Sequence, residues 1–318
     1  MSIPPLFRSL AFPFPSSLRR AFRLLHSTYI HPYIECMNLT KRPWSLGANN
    51  SASSLRVIIL ALHKMDHLQR LAIDFHCPPE LYEYIHNSRN LKHLLWTSVT
   101  PKMSNQWGSL CRLEAIEFSD KAKDCFIPGR LILESALTLK SLSVHSLGYL
   151  HLLCALARFR PFSNLTSFTF SSTDEGTPLH YLQDILESCP SLIALHLPTP
   201  LNLFLSPAAL PKLNTLNAGP NEFVLEFVEG RPVRRLFANP AHHFSYPRAR
   251  RPLQNCSFFL LHVHIEYSYA EEFFDDVNRT LIYCEDLALD VWMDTRTVRL
   301  KISDLPSRSR PSNTGPAK

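Results

Sequence analysis

The chain is predicted to fold as an α/β solenoid, with one parallel sheet on its concave face and helices or turns on its convex face. Two observations predict this. First, a phrase of one aliphatic residue, two variable residues, a second aliphatic, one variable residue and a third apolar residue recurs through the chain. It reads Leu68, Leu71, Ile73; Leu91, Leu94, Trp96; Leu113, Ile116, Phe118; Leu139, Leu142, Val144; Leu165, Phe168, Phe170; and Leu192, Leu195, Leu197. Second, the first residues of these copies are spaced by 23, 22, 26, 26 and 27 positions. A fixed self-similar period of that size marks stacked units, each too small to bury its own apolar face.

Each copy predicts a short strand. Side chains at i and i+2 share one face of a strand, so Leu71 and Ile73 point inward together and the first leucine enters from the preceding turn. The period lies within the roughly 20 to 29 residues of leucine-rich repeats. Weaker copies extend the series upstream as Phe7, Leu10, Phe12 and Ile34, Met37, Leu39. Downstream they read Leu213, Leu216, Ala218; Val233, Leu236, Ala238; Leu260, Val263, Ile265; and Cys284, Leu287, Leu289. One domain over residues 1–300 is expected, irregular at both ends. A Ser-, Arg- and Pro-rich tail at 301–318, poor in large apolar residues, is expected to be disordered.

Between the strands lie segments of helical period. Leu179, Leu182, Ile185 and Leu186 fall on one side of a helix predicted over 178–188, and Pro190 stops it. With 45% hydrophobic and 19% charged residues in 318, the chain has ample apolar material for a core.

Eight cysteines are scattered without a C-x-x-C pair or a histidine at zinc-ligand spacing, which predicts reduced thiols acting as small hydrophobes. That usage points to cytoplasm or nucleus rather than an oxidising compartment. Glycosylation triplets stand at Asn38, Asn164 and Asn278, the first two beside predicted strands where a sugar fits poorly. No apolar run long enough to span a bilayer is found, so no membrane association is expected. Residues 1–34 have arginines and no acid, as in a mitochondrial transit peptide, but Pro4, Pro5, Pro13 and Pro15 break the amphipathic helix that import requires.

The net charge of +6 is unevenly spread. Arg231, Arg234, Arg235, Arg248, Arg250 and Arg251 form a basic cluster, while Glu266 to Asp294 carries nine acids against one arginine. Such a cluster can hold phosphate on nucleic acid or on a modified partner. The plainer reading is a solvated loop balancing the acidic stretch.

No motif for catalysis is present: H-E-x-x-H, the phosphate-cradling glycine loops and G-x-S-x-G are all missing, and glycine numbers only eight. His242 with His243, and His262 with His264 near Glu266, are the nearest approach to metal-ligand spacing, and the expected role of the second pair is an exposed polar strand face. Glu271, Glu272, Asp275 and Asp276 read as the solvated side of a helix that buries Phe273, Phe274 and Val277. No enzyme, cofactor or metal is therefore expected.

Two stretches carry a family likeness. Ile185 to Leu197, ILESCPSLIALHL, resembles the helix-to-strand junction in the repeats of fungal F-box proteins with leucine-rich repeats, and Pro5 to Phe12, PLFRSLAF, looks like the segment that follows their F-box. Leu18 to Leu39 is similar to their first helix and second strand. The likeness spans roughly residues 5–300. It departs from the pattern in two ways. The asparagine of each repeat is replaced at His76, Val99, Lys121, Leu147, Thr173 and Pro200, with only Asn221 matching, and too few residues precede Pro5 to hold an F-box. The resemblance implies the substrate-receptor half of a cullin-based ubiquitin ligase, with an adaptor engaged only if an F-box is supplied.

If the register is right, the outward strand positions form a lane for a protein partner on the concave face. Its expected contact residues are Arg70, Asp74, His93, Thr97, Glu117, Ser119, Ser141, Ser143, His145, Ser167, Thr169 and His196. The expected function is a non-enzymatic protein-interaction module of the F-box type. The alternatives are a leucine-rich-repeat scaffold without a ligase role and, less favoured, a nucleic-acid binder using the Arg231–Arg251 cluster.

Overall fold

The structure is a computed structural model. It describes residues 9–11, 31–39, 51–73, 79–96, 112–118, 126–145, 150, 153–155, 157–158, 161–171, 179–197, 203, 205–206, 208–218, 227–228, 230–238, 257–266, 283–293 and 296–301, of which 10–11, 51–55, 79, 126–130, 179, 238 and all from 257 onward are described as backbone alone. The chain divides into two compact units, 1–213 and 214–318.

Among the described residues of the first unit, eight short strands follow one another in sequence: β1 (Ser9–Ala11), β2 (Cys36–Leu39), β3 (Arg70–Ile73), β4 (His93–Trp96), β5 (Ala115–Phe118), β6 (Ser141–Val144), β7 (Ser167–Phe170) and β8 (Ala194–Leu197). Each pairs in parallel with the next. Parallel neighbours require a crossover between them. Among the described residues, crossovers contain the helices α1 (Ser51–Leu62) before β3, α2 (Pro79–Asn87) before β4, α3 (Phe126–Ser135) before β6 and α4 (Leu179–Glu187) before β8, and residues 150, 153–155 and 157–158 are helical before β7. The result is an open α/β arrangement with strands ordered as they occur in the chain.

The register places the phrase in line. Leu10, Met37, Leu71, Leu94, Ile116, Leu142, Phe168 and Leu195 are successive partners across the sheet. From Met37 onward all are buried, as are the third phrase residues Leu39, Ile73, Trp96, Phe118, Val144, Phe170 and Leu197. The alternate positions are half-buried or exposed, the alternation a strand with one covered face requires. Helix residues complete the core: Leu81, Tyr82 and Ile85 of α2, and Leu182, Ile185 and Leu186 of α4. The Tyr82 ring packs 4.7 Å from that of Trp96 on β4. Each large side chain so buried contributes about 1.5–3 kcal/mol.

A backbone device sets where each strand begins. The carbonyl of the residue after the first aliphatic of each phrase accepts two N–H groups from the next strand's entry. Glu35 takes those of Gln69 and Arg70; Gln69 those of Lys92 and His93; Lys92 those of Glu114 and Ala115. Glu114, Lys140 and Thr166 continue the series to Ala194, with every bond between 2.7 and 3.0 Å. A carbonyl has two lone pairs, so one acceptor pins two consecutive residues.

The Ser-Cys-Pro junction after α4 has a similar local logic. The Ser188 hydroxyl and the Cys189 thiol both donate to the Ile185 carbonyl, at 2.6 and 3.1 Å, joining the Ser188 N–H that donates to it at 3.1 Å, so side chains reinforce the helix end. Cys189 is fully buried and burial pushes its thiol up to about 12, so it serves as a small hydrophobe. Cys36 and Cys154 are likewise unpaired thiols.

The second unit contains β9 (Thr215–Ala218), β10 (Arg235–Ala238), β11 (Ser257–Glu266), β12 (Tyr283–Met293) and β13 (Arg296–Lys301). β9 to β12 are parallel neighbours. Two expectations are corrected here. In β11 the partner of Leu236 is Leu261, and Leu261 faces Leu287, so the phrase there is Phe258, Leu261, Val263 and not Leu260, Val263, Ile265. The apolar run fits the phrase from either Phe258 or Leu260, and only pairing chooses between them. The sheet also ends antiparallel: β13 turns back on β12, with Met293 opposite Arg296. Two intervening residues are enough for an antiparallel return, whereas a parallel one needs a crossover of a dozen or more.

The asparagine-equivalent positions from His76 to Asn221, the acidic segment 271–277, His242 with His243, and the tail beyond Lys301 lie outside the described residues.

Truncating Phe168, buried at 0% exposure on β7, is expected to cost about 3–5 kcal/mol in urea unfolding. Ser167→Ala, one residue away on the other face, should cost under about 0.5 kcal/mol. Similar losses from both would contradict the facing assigned to this strand.

Candidate protein-binding face

The outward residues of β3 to β8 form two rows. The first, in register, is Arg70, His93, Ala115, Ser141, Ser167 and Ala194; the second is Ala72, Leu95, Glu117, Ser143, Thr169 and His196. The structure therefore brings together Arg70, His93, Glu117, Ser141, Ser143, Ser167, Thr169 and His196 on one face, with His145 two positions beyond Ser143. Asp74, Thr97 and Ser119 lie outside the described residues.

His145 is the hub of the polar part. Its Nε2 lies 3.1 Å from the Ser143 hydroxyl and 3.9 Å from a Glu117 carboxylate oxygen, while its Nδ1 shares a hydrogen bond with the Ser171 hydroxyl. The Ser171 N–H donates to the Val144 carbonyl, which carries the ladder past the end of β7 and holds Ser171 beside His145. Ser171 and Glu117 stand on opposite ring nitrogens, as the hydroxyl and the orienting carboxylate do in a nucleophile relay, but the 3.9 Å between Nε2 and the carboxylate is longer than a hydrogen bond. The arrangement offers hydroxyl and imidazole hydrogen-bonding groups to a ligand.

Two further imidazoles are tuned by position. Burial lowers the pKa of His196, and His145 adds to the effect. Burial also lowers that of His93, with Arg70, Lys92 and Lys140 pushing the same way and Glu114 opposing them.

Lys92, Glu114 and Lys140 form a group that the sequence reading missed. They occupy the carbonyl-ladder position of consecutive phrases, and the Glu114 carboxylate lies 3.3 Å from Lys92 Nζ and 2.9 Å from Lys140 Nζ. Their hydrogen bonds, that to Lys140 foremost, hold the Glu114 carboxyl below the usual carboxylate range. The signal was available in the sequence as Lys, Glu, Lys at one phrase position. Just before the first aliphatic, Asn90 and Asn164 donate to the Asp66 and Leu137 carbonyls of the preceding strand's approach, the latter at 2.7 Å. This side-chain ladder stands at a different phrase position from the expected asparagine. It also engages the amide of the Asn164 glycosylation triplet.

On the helical side, His86 of α2 lies 3.2 Å from Glu134 of α3, both largely buried. Arg158 donates to Asp184 of α4 at 3.0 Å, and the Cys154 thiol donates to the same carboxylate oxygen at 3.4 Å. Burial followed by that carboxylate raises the thiol's pKa, so Cys154 is held as a thiol and not as a nucleophilic thiolate.

In the basic cluster, Arg231 is engaged locally. Its guanidinium donates to the Phe227 carbonyl and sits 4.8 Å over the Phe227 ring, beside Gly230 with φ of 75°. Arg234 and Arg235 are exposed, and 248–251 lies outside the described residues. His262 and His264 stand in β11, opposite Ala288 and Asp290. Among the described residues no three His, Cys, Asp or Glu side chains converge as a metal site, and no helix is long and apolar enough to cross a membrane. No protein-family model and no curated sequence matches the chain.

Because the folded-state pKa values of His93 and His196 lie below the ordinary 6.5, the unfolded chain takes up their protons first. Their contribution is present above about pH 6.5 and is lost as pH falls through the folded values. The urea midpoint should drop between pH 7 and 5, and the variant with His93→Gln and His196→Gln should drop less. An equal drop in both proteins would contradict the assignment.

Proposed function

We propose that the chain is a non-enzymatic protein-interaction module: a leucine-rich-repeat solenoid that holds a protein partner on the concave face of its first unit. The observation that supports it is the register. Successive parallel strands place side by side a set of outward groups that are small, hydroxylated or imidazole-bearing, from Ser141 to His196. Such groups let a partner's backbone approach closely and hydrogen-bond, and the exposed sheets of solenoids are commonly where partners dock.

The resemblance of Ile185–Leu197 and Pro5–Phe12 to fungal F-box proteins extends this reading to a substrate receptor of a cullin-based ubiquitin ligase. The adaptor-docking half would come from residues outside this sequence or from another chain. Without it, the same module is a scaffold that gathers partners and has no ligase role.

Affinity purification separates these readings. The expected result is a partner whose recovery falls at least about tenfold with Ser143→Arg or Thr169→Arg, at unchanged urea midpoint, because a long charged side chain in the lane blocks close approach. Recovery of a ubiquitin-ligase adaptor in the same complex supports the receptor role, and a partner without the adaptor supports the scaffold. Retention of the partner by both arginine variants would remove this face from consideration.

A further inference from the structure

The exposed face is electrically asymmetric. At the β3–β6 end stand three cations, Arg70, Lys92 and Lys140, with Glu114 between the two lysines and Glu117 in the adjoining row. Arg70 is exposed and makes no ion pair among the described residues. Its row neighbours His93, Ala115, Ser141 and Ser167 include no acid. The only carboxylate in the adjoining row from β3 to β8 is Glu117, which faces His145. That row position leaves the Arg70 guanidinium, which has no ion pair among the described residues, at one end of a floor of small side chains.

We propose that this floor binds an extended acidic segment of a protein partner, its Asp or Glu carboxylates seated at Arg70 and the flanking Lys92 and Lys140, and its backbone hydrogen-bonded by Ser141 and Ser167. The proposal rests on the reading of this face as a protein-binding surface and names the chemistry of what it holds.

Dimensions and electrostatics agree with it. Strands in a sheet are about 4.8 Å apart, so the four steps from Arg70 on β3 to Ser167 on β7 cover about 19 Å. An extended peptide advances about 3.4 Å per residue, so about six residues cross the floor, and alternate side chains face it. Three carboxylates at alternate positions thus turn together toward the cations. Burial first, and then Arg70 with smaller contributions from Lys92 and Lys140 against Glu114, lowers the pKa of His93, which favours an imidazole that hydrogen-bonds without adding charge. Ion pairs at an exposed face are individually weak, so the contact should act through several of them and respond to salt.

The test uses the full chain and a synthetic eight-residue peptide of alternating glutamate and alanine, blocked at both ends and followed by fluorescence anisotropy. Expected is binding that weakens at least about tenfold from 50 to 300 mM salt, weakens about tenfold or more with Arg70→Glu, and is lost when glutamine replaces glutamate. Because Arg70 is exposed, the variant should keep its urea midpoint. Equal binding of the glutamine peptide, or no response to either Arg70→Glu or Lys140→Glu, would overturn the proposal. So would binding of a phosphoserine peptide with none of the glutamate peptide. If a captured partner is lost with Ser143→Arg but retained with Arg70→Glu, the binding face stands and the acidic-segment proposal falls. If it is retained with both, the face itself falls.

Discussion

Everything on the exposed face depends on a carbonyl that accepts two hydrogen bonds. At the entry to each strand, from Glu35 to Thr166, one carbonyl oxygen takes the N–H groups of two consecutive residues on the next strand. This fixes register at the point where the chain arrives from a crossover, where it would otherwise be free to slip. A slip of one residue would exchange the two faces of a strand. Leu142 and Val144 would turn to water, and Ser141 and Ser143 would turn to the core. The rows of outward side chains therefore exist because the backbone is held, not because the outward residues attract one another.

That division separates stability from recognition. The stabilising area is on the inner face, where leucine, phenylalanine and Trp96 pack against helices, while the outer face carries groups whose removal costs little. Lys92, Glu114 and Lys140 illustrate the point. Their ion pairs are exposed and add little to folding, so their sign and spacing can answer to a ligand instead. The helical side behaves differently, since His86 and Glu134 are shielded there and losing either partner would strand a buried polar group.

Much of the strand pattern was legible in the sequence because leucine spacing reports facing directly. Met37, Leu71 and Ile116 are where the phrase puts them, and even the weaker copies at Ile34 and Leu213 fall in the core. What escaped were features that depend on pairing. Phrases starting at Phe258 and at Leu260 both fit the apolar pattern, and only the partners of β11 in β10 and β12 decide between them. The antiparallel return of β13 escaped because it follows from a two-residue connection rather than from apolar periodicity. The described outward positions of β3 to β8 alternate with buried ones as the phrase puts them, and the repeat places His145 beside Ser171, but apolar spacing does not report the hydrogen bonds that gather at His145.

Cross-linking tests the register most directly. Parallel neighbours have Cα atoms about 4.8 Å apart, within the roughly 4.4–6.8 Å that a disulfide spans. Ser143→Cys combined with Thr169→Cys, partners across β6 and β7, should form a bridge on mild oxidation that peptide mass spectrometry locates between those two positions. Ser143→Cys combined with Ser171→Cys, displaced two residues along the neighbouring strand, should leave the pair reduced. A bridge in the displaced pair and none in the aligned pair would contradict the register on which the proposed binding face is built.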